Sequence, residues 1–217
     1  AHDNGFSVTK LSGGWVVLLP RDDLVLPVIS YDIGLNRSSV HRIVNDKVAT
    51  FDVLTAAGVP AVEHRLMLSD AMSQRMGDPD PEATRLAAFE AAGGDAVLKP
   101  LDQAQGLDVV RVKTPEDFGA RVADLGVRYP RFCISPFMQI VREDRFYFLD
   151  NACLLSYGKR AGAAGLANLA QGGEVIWHDG SERSTAGLAS RARGALALRY
   201  GCIAVVTLDD GTQGVLE

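Results

Sequence analysis

A lysine closes the apolar run Ala96-Val97-Leu98-Lys99-Pro100. A polar loop follows, Leu101-Asp102-Gln103-Ala104-Gln105-Gly106-Leu107, and then a second apolar run, Val109-Val110-Arg111-Val112. No other stretch constrains the chain as much. A buried strand tolerates an ammonium only where a partner or solvent meets it, because burying an unpaired charge is costly. A phosphate is one such partner. A strand-borne lysine beside a loop able to close over anions is the arrangement of a nucleotide-phosphate site. A strand-end lysine that snorkels to water has the same sequence pattern.

The remaining composition narrows the class. With 217 residues, 47% of them hydrophobic and 23% charged, the chain can bury one or two cores. A net charge of -5 argues against a nucleic-acid partner. No apolar run approaches the roughly 20 residues of a membrane span, and Trp15–Pro20 is strand-sized and lacks the flanks of a signal peptide. Cys133, Cys153 and Cys202 are far apart and each lies in an apolar run. They read as buried, reduced thiols of a cytoplasmic protein rather than a metal or disulfide set. His2, His41, His64 and His178 lack metal-ligand spacing. No nucleophile elbow and no Walker-type run occurs, which removes the commonest hydrolase and NTPase readings. The final run ends strand-like at Glu217, compatible with a longer natural chain.

Periodicity and punctuation place the elements. Residues 1–35 hold two strands, Trp15–Leu19 and Leu24–Ile29. Ser38 or Ser39 caps a helix running to about Ala57, stopped by Gly58. Residues 59–68 are extended and 69–79 read as a polar loop. Asp80-Pro81-Glu82 and Thr114-Pro115-Glu116 open helices that stop at Gly93-Gly94 and Gly126. Strands are expected at 96–99, 108–112 and 131–135. A hairpin turns at Asp150-Asn151, an Ala/Gly-rich loop covers 161–173, and a strand covers 173–177. A helix from Thr185 to Tyr200 ends at Gly201, and a last hairpin turns at Asp209-Asp210-Gly211. The elements predict an α+β fold with antiparallel sheets in two lobes meeting near residues 133–140.

The polar residues then fall into an order. Asn45-Asp46-Lys47 precedes Ala56-Ala57-Gly58-Val59-Pro60. Next come Val97-Leu98-Lys99-Pro100 with its loop, Ile134-Ser135-Pro136-Phe137-Met138, Glu143-Asp144-Arg145-Phe146 and Tyr157-Gly158-Lys159-Arg160. Asn168-Leu169-Ala170-Gln171-Gly172-Gly173 and Val215-Leu216-Glu217 complete the series. Over residues 36–217 this resembles the ATP-grasp superfamily, in the branch of the ribosomal-protein glutamate ligases and peptide-maturation ligases. The resemblance implies an ATP-grasp fold with the nucleotide cleft between two α+β lobes. It divides the chain into a remnant of an N-terminal domain (1–35), a small central lobe (36–136) and a large C-terminal lobe (137–217).

The same resemblance implies roles. Lys47 and Lys99 resemble the two nucleotide lysines, although Lys47 alone also reads as a solvated helix lysine. Residues 102–106, with Gln105 and Gly106, resemble the loop that folds over the triphosphate. Ser135, Phe137 and Met138 resemble the hinge that takes the adenine through main-chain groups, with proline 136 removing one donor. Glu143 stands where the family has an acid before the hairpin. Arg145 and Arg160 resemble its catalytic arginines, and Asn168 the asparagine of the acceptor loop.

For the metal, Glu217 matches the glutamate of the last strand, Val206 stands where the family carries another acid, and the family's asparagine two residues after that glutamate would lie beyond Glu217. The implied cofactors are ATP and Mg2+. The implied activity is ligation of a carboxylate to an amine or thiol through an acyl-phosphate, on an amino acid or peptide. The alternative is a degenerate ATP-grasp protein that binds nucleotide without a full metal site. A homo-oligomer is left open.

Overall fold

The structure is a computed structural model that describes residues 4–103, 106–160, 173–178 and 183–217. In chain order it runs β1 (Thr9–Leu11), β2 (Val16–Arg21), β3 (Leu24–Ile29), α1 (Ser38–Val44), α2 (Lys47–Ala56), β4 (Arg65–Leu68), α3 (Asp70–Met76) and α4 (Pro81–Ala91). It continues through β5 (Ala96–Pro100), β6 (Val110–Val112), α5 (Pro115–Arg128), β7 (Arg131–Pro136), β8 (Ile140–Leu149) and β9 (Ala152–Arg160). It closes with β10 (Glu174–Trp177), α6 (Arg183–Ala195), β11 (Tyr200–Leu208) and β12 (Gln213–Val215). Among the described residues the strands form three antiparallel sheets, ordered β1-β2-β3, β4-β7-β5-β6 and β10-β9-β8-β11-β12. Among the described residues no helix is long and apolar enough to cross a membrane.

Each of the two larger sheets buries one face. Ala96, Leu98, Val112, Phe132, Ile134 and Met67 pack against Phe89 of α4 and Phe118, Val122 and Leu125 of α5. The helix α5 shows why: its apolar residues recur three and four apart, so one stripe meets the sheet. On the second sheet Phe146, Phe148, Ile203, Val205 and Val215 pack beneath Leu188, Ala189 and Ala192 of α6. Side chains alternate along a strand, so the residues between these face the other way. Those intervening positions carry Lys99, Ser135, Glu143 and Arg145.

The first helix differs from its sequence reading. Asn45-Asp46 breaks it in two, and Asp46 caps α2 by accepting from the N–H groups of Val48 and Ala49. The residue ahead of α1 is Arg37, with no side-chain cap, so neither Ser38 nor Ser39 serves as one. Val40, Leu54 and Val59 join the core of the five-stranded sheet. The segment expected with the smaller lobe therefore packs against the larger. Residues 60–62 fix it there: Val62 N–H donates to Val215 O, and Val215 N–H to Pro60 O.

Other boundaries move for local reasons. The stretch read as a loop at 69–79 contains α3, capped by Ser69, whose hydroxyl accepts from Met72 N–H. The helix α5 runs past Gly126, and the strand β11 begins at Tyr200, where the last helix was expected to end. A third strand, β1, joins the N-terminal pair. The Ala/Gly-rich stretch falls outside the described residues except for Gly173.

Asp46 also pairs with Arg131 at 2.9 Å, tying α2 to β7. Asp46→Ala should lower unfolding free energy by about 1 kcal/mol, most of it from the lost cap, because an exposed ion pair adds little. Urea titration measures this. An unchanged midpoint would mean the Asn45–Asp46 break holds without its cap.

Candidate functional site

The cleft faces of the two sheets can be read from their registers. Directly opposed residues share a face. On the four-stranded sheet Lys99 opposes Cys133 and Val97 opposes Ser135. These lie on the face away from α4 and α5. On the five-stranded sheet one row across the strands reads Lys159, Glu143, Val206, Gly214. The neighbouring row reads Tyr157, Arg145, Ala204, with Ala204 N–H donating to Glu217 O. Both rows face away from α6.

Charged groups from both lobes meet between these faces. Lys47, at the start of α2, donates from Nζ to Leu101 O and Gln103 O, both at 3.0 Å. It thereby holds the base of the loop that follows Lys99. Burial lowers the pKa of Lys99; the field of Lys47 acts the same way, while Glu217 opposes it. Arg145 donates from Nε to Glu143 (2.6 Å) and from Nη2 to Glu217 (2.8 Å). Lys159, 7% exposed, meets the same Glu143 oxygen at 2.7 Å. Burial pushes the Glu217 carboxyl up, but Arg145, Lys47 and Lys99 outweigh it and hold the pKa below the ordinary value. Arg145 stays charged: burial opposes its charge, and Glu143 and Glu217 more than offset that.

The hinge is more constrained than its sequence suggests. Phe137 N–H donates to Asp95 O at 2.9 Å, and its ring is covered by the Arg111 guanidinium at 3.2 Å. Arg111 is itself held by Asp95 through two bonds of 2.7 and 2.6 Å. Ser135 is buried, and Met138 O accepts from Ile140 N–H. Gly106 adopts φ 74°, a left-handed conformation that glycine takes without penalty. Gln105 and Asn168 lie outside the described residues.

Lys47, Lys99, Glu143, Arg145 and Glu217 are thus brought together. Arg160 is not. It is 62% exposed and pairs with Glu174, through Nε at 2.8 Å and Nη2 at 2.6 Å. The cause is a register shift between Tyr147 and Phe148, which sets Tyr147 opposite Leu155 after Phe148 opposes Cys153. An extra residue in one strand exchanges its faces beyond that point. Lys159 therefore meets Glu143, and Arg160 points the other way.

No family model matches the chain, and no curated protein does. Solved structures do. A D-alanine–D-alanine ligase from Coxiella burnetii superposes with a TM-score of 0.62 at 15% identity, over 82% of this chain and 48% of that one. The D-cycloserine synthetase DcsG gives 0.57 at 24% identity, over 82% and 62%. The ATP-grasp ligase PsnB, complexed with a minimal precursor, gives 0.59 at 20%, over 84% and 54%. This chain has the ATP-grasp fold. It spans less than two thirds of the length of those three structures.

Within the ATP-grasp fold, the donors among the described residues do not by themselves suit the magnesium ion that the resemblance implies. Magnesium asks for octahedral oxygen, usually including carboxylates. Here Val206 offers methyl groups where an acid was looked for. Glu143 is shared by Arg145 and Lys159, and Glu217 is tied to Arg145. Among the described residues no cluster of three or more acids, histidines or cysteines could hold a metal. Asp210 is engaged in its own turn, accepting from Thr212 N–H at 2.8 Å.

Proposed function

We propose that this chain is an ATP-dependent ligase joining a carboxylate to an amine or thiol, acting on an amino acid or peptide. One observation carries the proposal: Lys47, Lys99 and Arg145 converge from both lobes beside Glu217 in an ATP-grasp cleft. The structural neighbours support the class. They include ligases, and PsnB is known in complex with a precursor peptide and AMPPNP.

In this proposal Lys47 and Lys99 neutralise the polyphosphate, and residues 102–106 cover it. Adenine is read at Ser135–Met138, with the Phe137 N–H already spent on Asp95. A substrate carboxylate oxygen attacks the γ-phosphorus and ADP leaves. The amine nitrogen or thiol sulfur attacks the acyl-phosphate carbonyl carbon, phosphate leaves, and the nucleophile loses its proton. Little covalent chemistry falls to the protein: its side chains position the reactants and stabilise charge. Arg145, whose fork stays ionised, faces the developing negative charge. Arg160, on the opposite face, receives no role.

The second reading is nucleotide binding without ligation, and Val206 is what favours it. Incubation with ATP and pools of amino acids or short peptides separates the two. ADP release that depends on the added substrate, with a condensed product seen by mass spectrometry, supports the ligase. Tight ATP binding without ADP supports the second reading, and no ATP binding overturns both.

Lys99→Ala should weaken ATP binding by roughly 1.5–3 kcal/mol, the scale of a charge-assisted hydrogen bond. Calorimetry checks this. An unchanged isotherm would remove Lys99 from the phosphate site.

A further inference from the structure

We propose that this chain binds the polyphosphate of its nucleotide through side-chain cations alone, with Lys159 standing in for a divalent ion on the large-lobe sheet. The inference rests on the nucleotide reading above and deepens it. It begins with the row Lys159, Glu143, Val206, Gly214. Read across the cleft face, that row offers an ammonium, a carboxylate, an isopropyl group and bare backbone. Val206 is 1% exposed and directly opposes Glu143. Its methyls fill the place where an oxygen ligand would have to stand.

The charge is already balanced for an anion. Among the described residues Lys47, Lys99, Arg145 and Lys159 meet Glu143 and Glu217, so with every group ionised the site carries a surplus of +2 (4 − 2). A divalent cation entering this site would be repelled by that surplus. It would also compete with Arg145 and Lys159 for both carboxylates. A polyphosphate meets the opposite situation.

Lys159 is built for the role. An ammonium has three donors. It pairs with Glu143 at 2.7 Å, and no other partner meets it among the described residues, which leaves donors for phosphate oxygens. The pairing with Glu143 and the burial of the side chain fix its position before ligand arrives, so little rotamer entropy is lost on binding. Lys47 plays a different part, since two of its donors already hold Leu101 and Gln103. The PsnB neighbour, by contrast, has been described with Mg and ADP together.

The test is a calorimetric titration of the full chain with ATP, once in excess EDTA and once with magnesium. The expected result is an affinity in EDTA within about threefold of that with magnesium. A larger loss in EDTA overturns the inference while leaving the nucleotide reading intact. No binding in either buffer overturns both. Lys159→Met, checked for folding by its melt, should weaken ATP binding in EDTA by about tenfold. Unchanged affinity in that variant overturns the assignment of Lys159. Val206→Asp supplies the missing acid and should make ATP binding magnesium-dependent. If the folded Val206→Asp protein binds ATP equally with and without magnesium, Val206 does not stand at the metal position, and the inference falls.

Discussion

Arg145→Met should lower the unfolding free energy by about 3 kcal/mol, the low end of the range for breaking a buried ion pair. Arg145 is 21% exposed on its side chain and, among the described residues, is the one that touches both Glu143 and Glu217. Methionine keeps most of the stem and removes the fork, so the loss reports charge rather than a cavity. Glu143 keeps Lys159, which limits the damage. Among the described residues Glu217 keeps the longer-range fields of Lys47 and Lys99. Its carboxyl, which burial pushes up and Arg145 holds down, should therefore titrate higher in the variant. Urea denaturation measures the stability, and carboxyl-detected NMR the titration. Lys159→Met on the Arg145→Met background should cost more than on the native one, because Glu143 then loses both partners. A loss below about 1 kcal/mol for Arg145→Met would place the whole network in the class of screened surface pairs.

The elements that sequence made legible were those with unambiguous punctuation. Asp80-Pro81 and Thr114-Pro115 start helices where a cap and an N1 proline coincide, and both caps are made by the side chains expected. The hairpin at Asp150-Asn151 turns there, with Asp150 in the left-handed region at φ 50°. The break at Asn45-Asp46 was hidden because apolar residues continue at helical spacing across it. The bond from Thr50 Oγ1 back to Ile43 O and the capping by Asp46 show that the chain restarts. Residues 69–79 are polar and short of apolar periodicity, so α3 left little mark. Its cap Ser69 is also tied to Pro130 O through its N–H, a tertiary bond no local pattern reveals.

At the site the same division holds. Lys99 was legible because a strand announced it. Lys47 and Glu217 followed from the order of motifs, and the structure brings them to Lys99. Lys159 and Arg160 were adjacent candidates whose faces depend on a single bulge, and a bulge has no fixed sequence signature. His64 gave no signal at all. A lone histidine just before a strand reads as surface or structural, and its importance comes from neighbours distant in sequence.

His64 carries a large expected pH effect on the acid side. It is 2% exposed, and its Nδ1 lies 2.8 Å from Val62 O, so that nitrogen bears the proton of the neutral ring. Nε2 is buried without a hydrogen-bond partner among the described residues. Burial, then the charge of Lys99, then that of Lys47 push the pKa down to about 3, against the weaker opposing pull of Val62 O. The unfolded ring takes its proton near 6.5, so between pH 6.5 and about 3 the unfolded state binds a proton that the native state refuses. Stability is full above the unfolded pKa and falls with pH through this window, by about 1.4 kcal/mol per unit. Across the 3.5 units (6.5 − 3) that is about 5 kcal/mol. His64→Asn keeps a donor for Val62 O and cannot titrate. Between pH 6.5 and 5 the native protein should lose about 2 kcal/mol more than this variant, read from urea midpoints at each pH. Parallel losses would mean that the native ring already accepts the proton. A bound polyphosphate screens Lys99 and Lys47, so saturating ATP should raise the native pKa of His64 and flatten the slope in the native protein alone. That change would tie the buried ring to the anion site through charge, without requiring the two to touch.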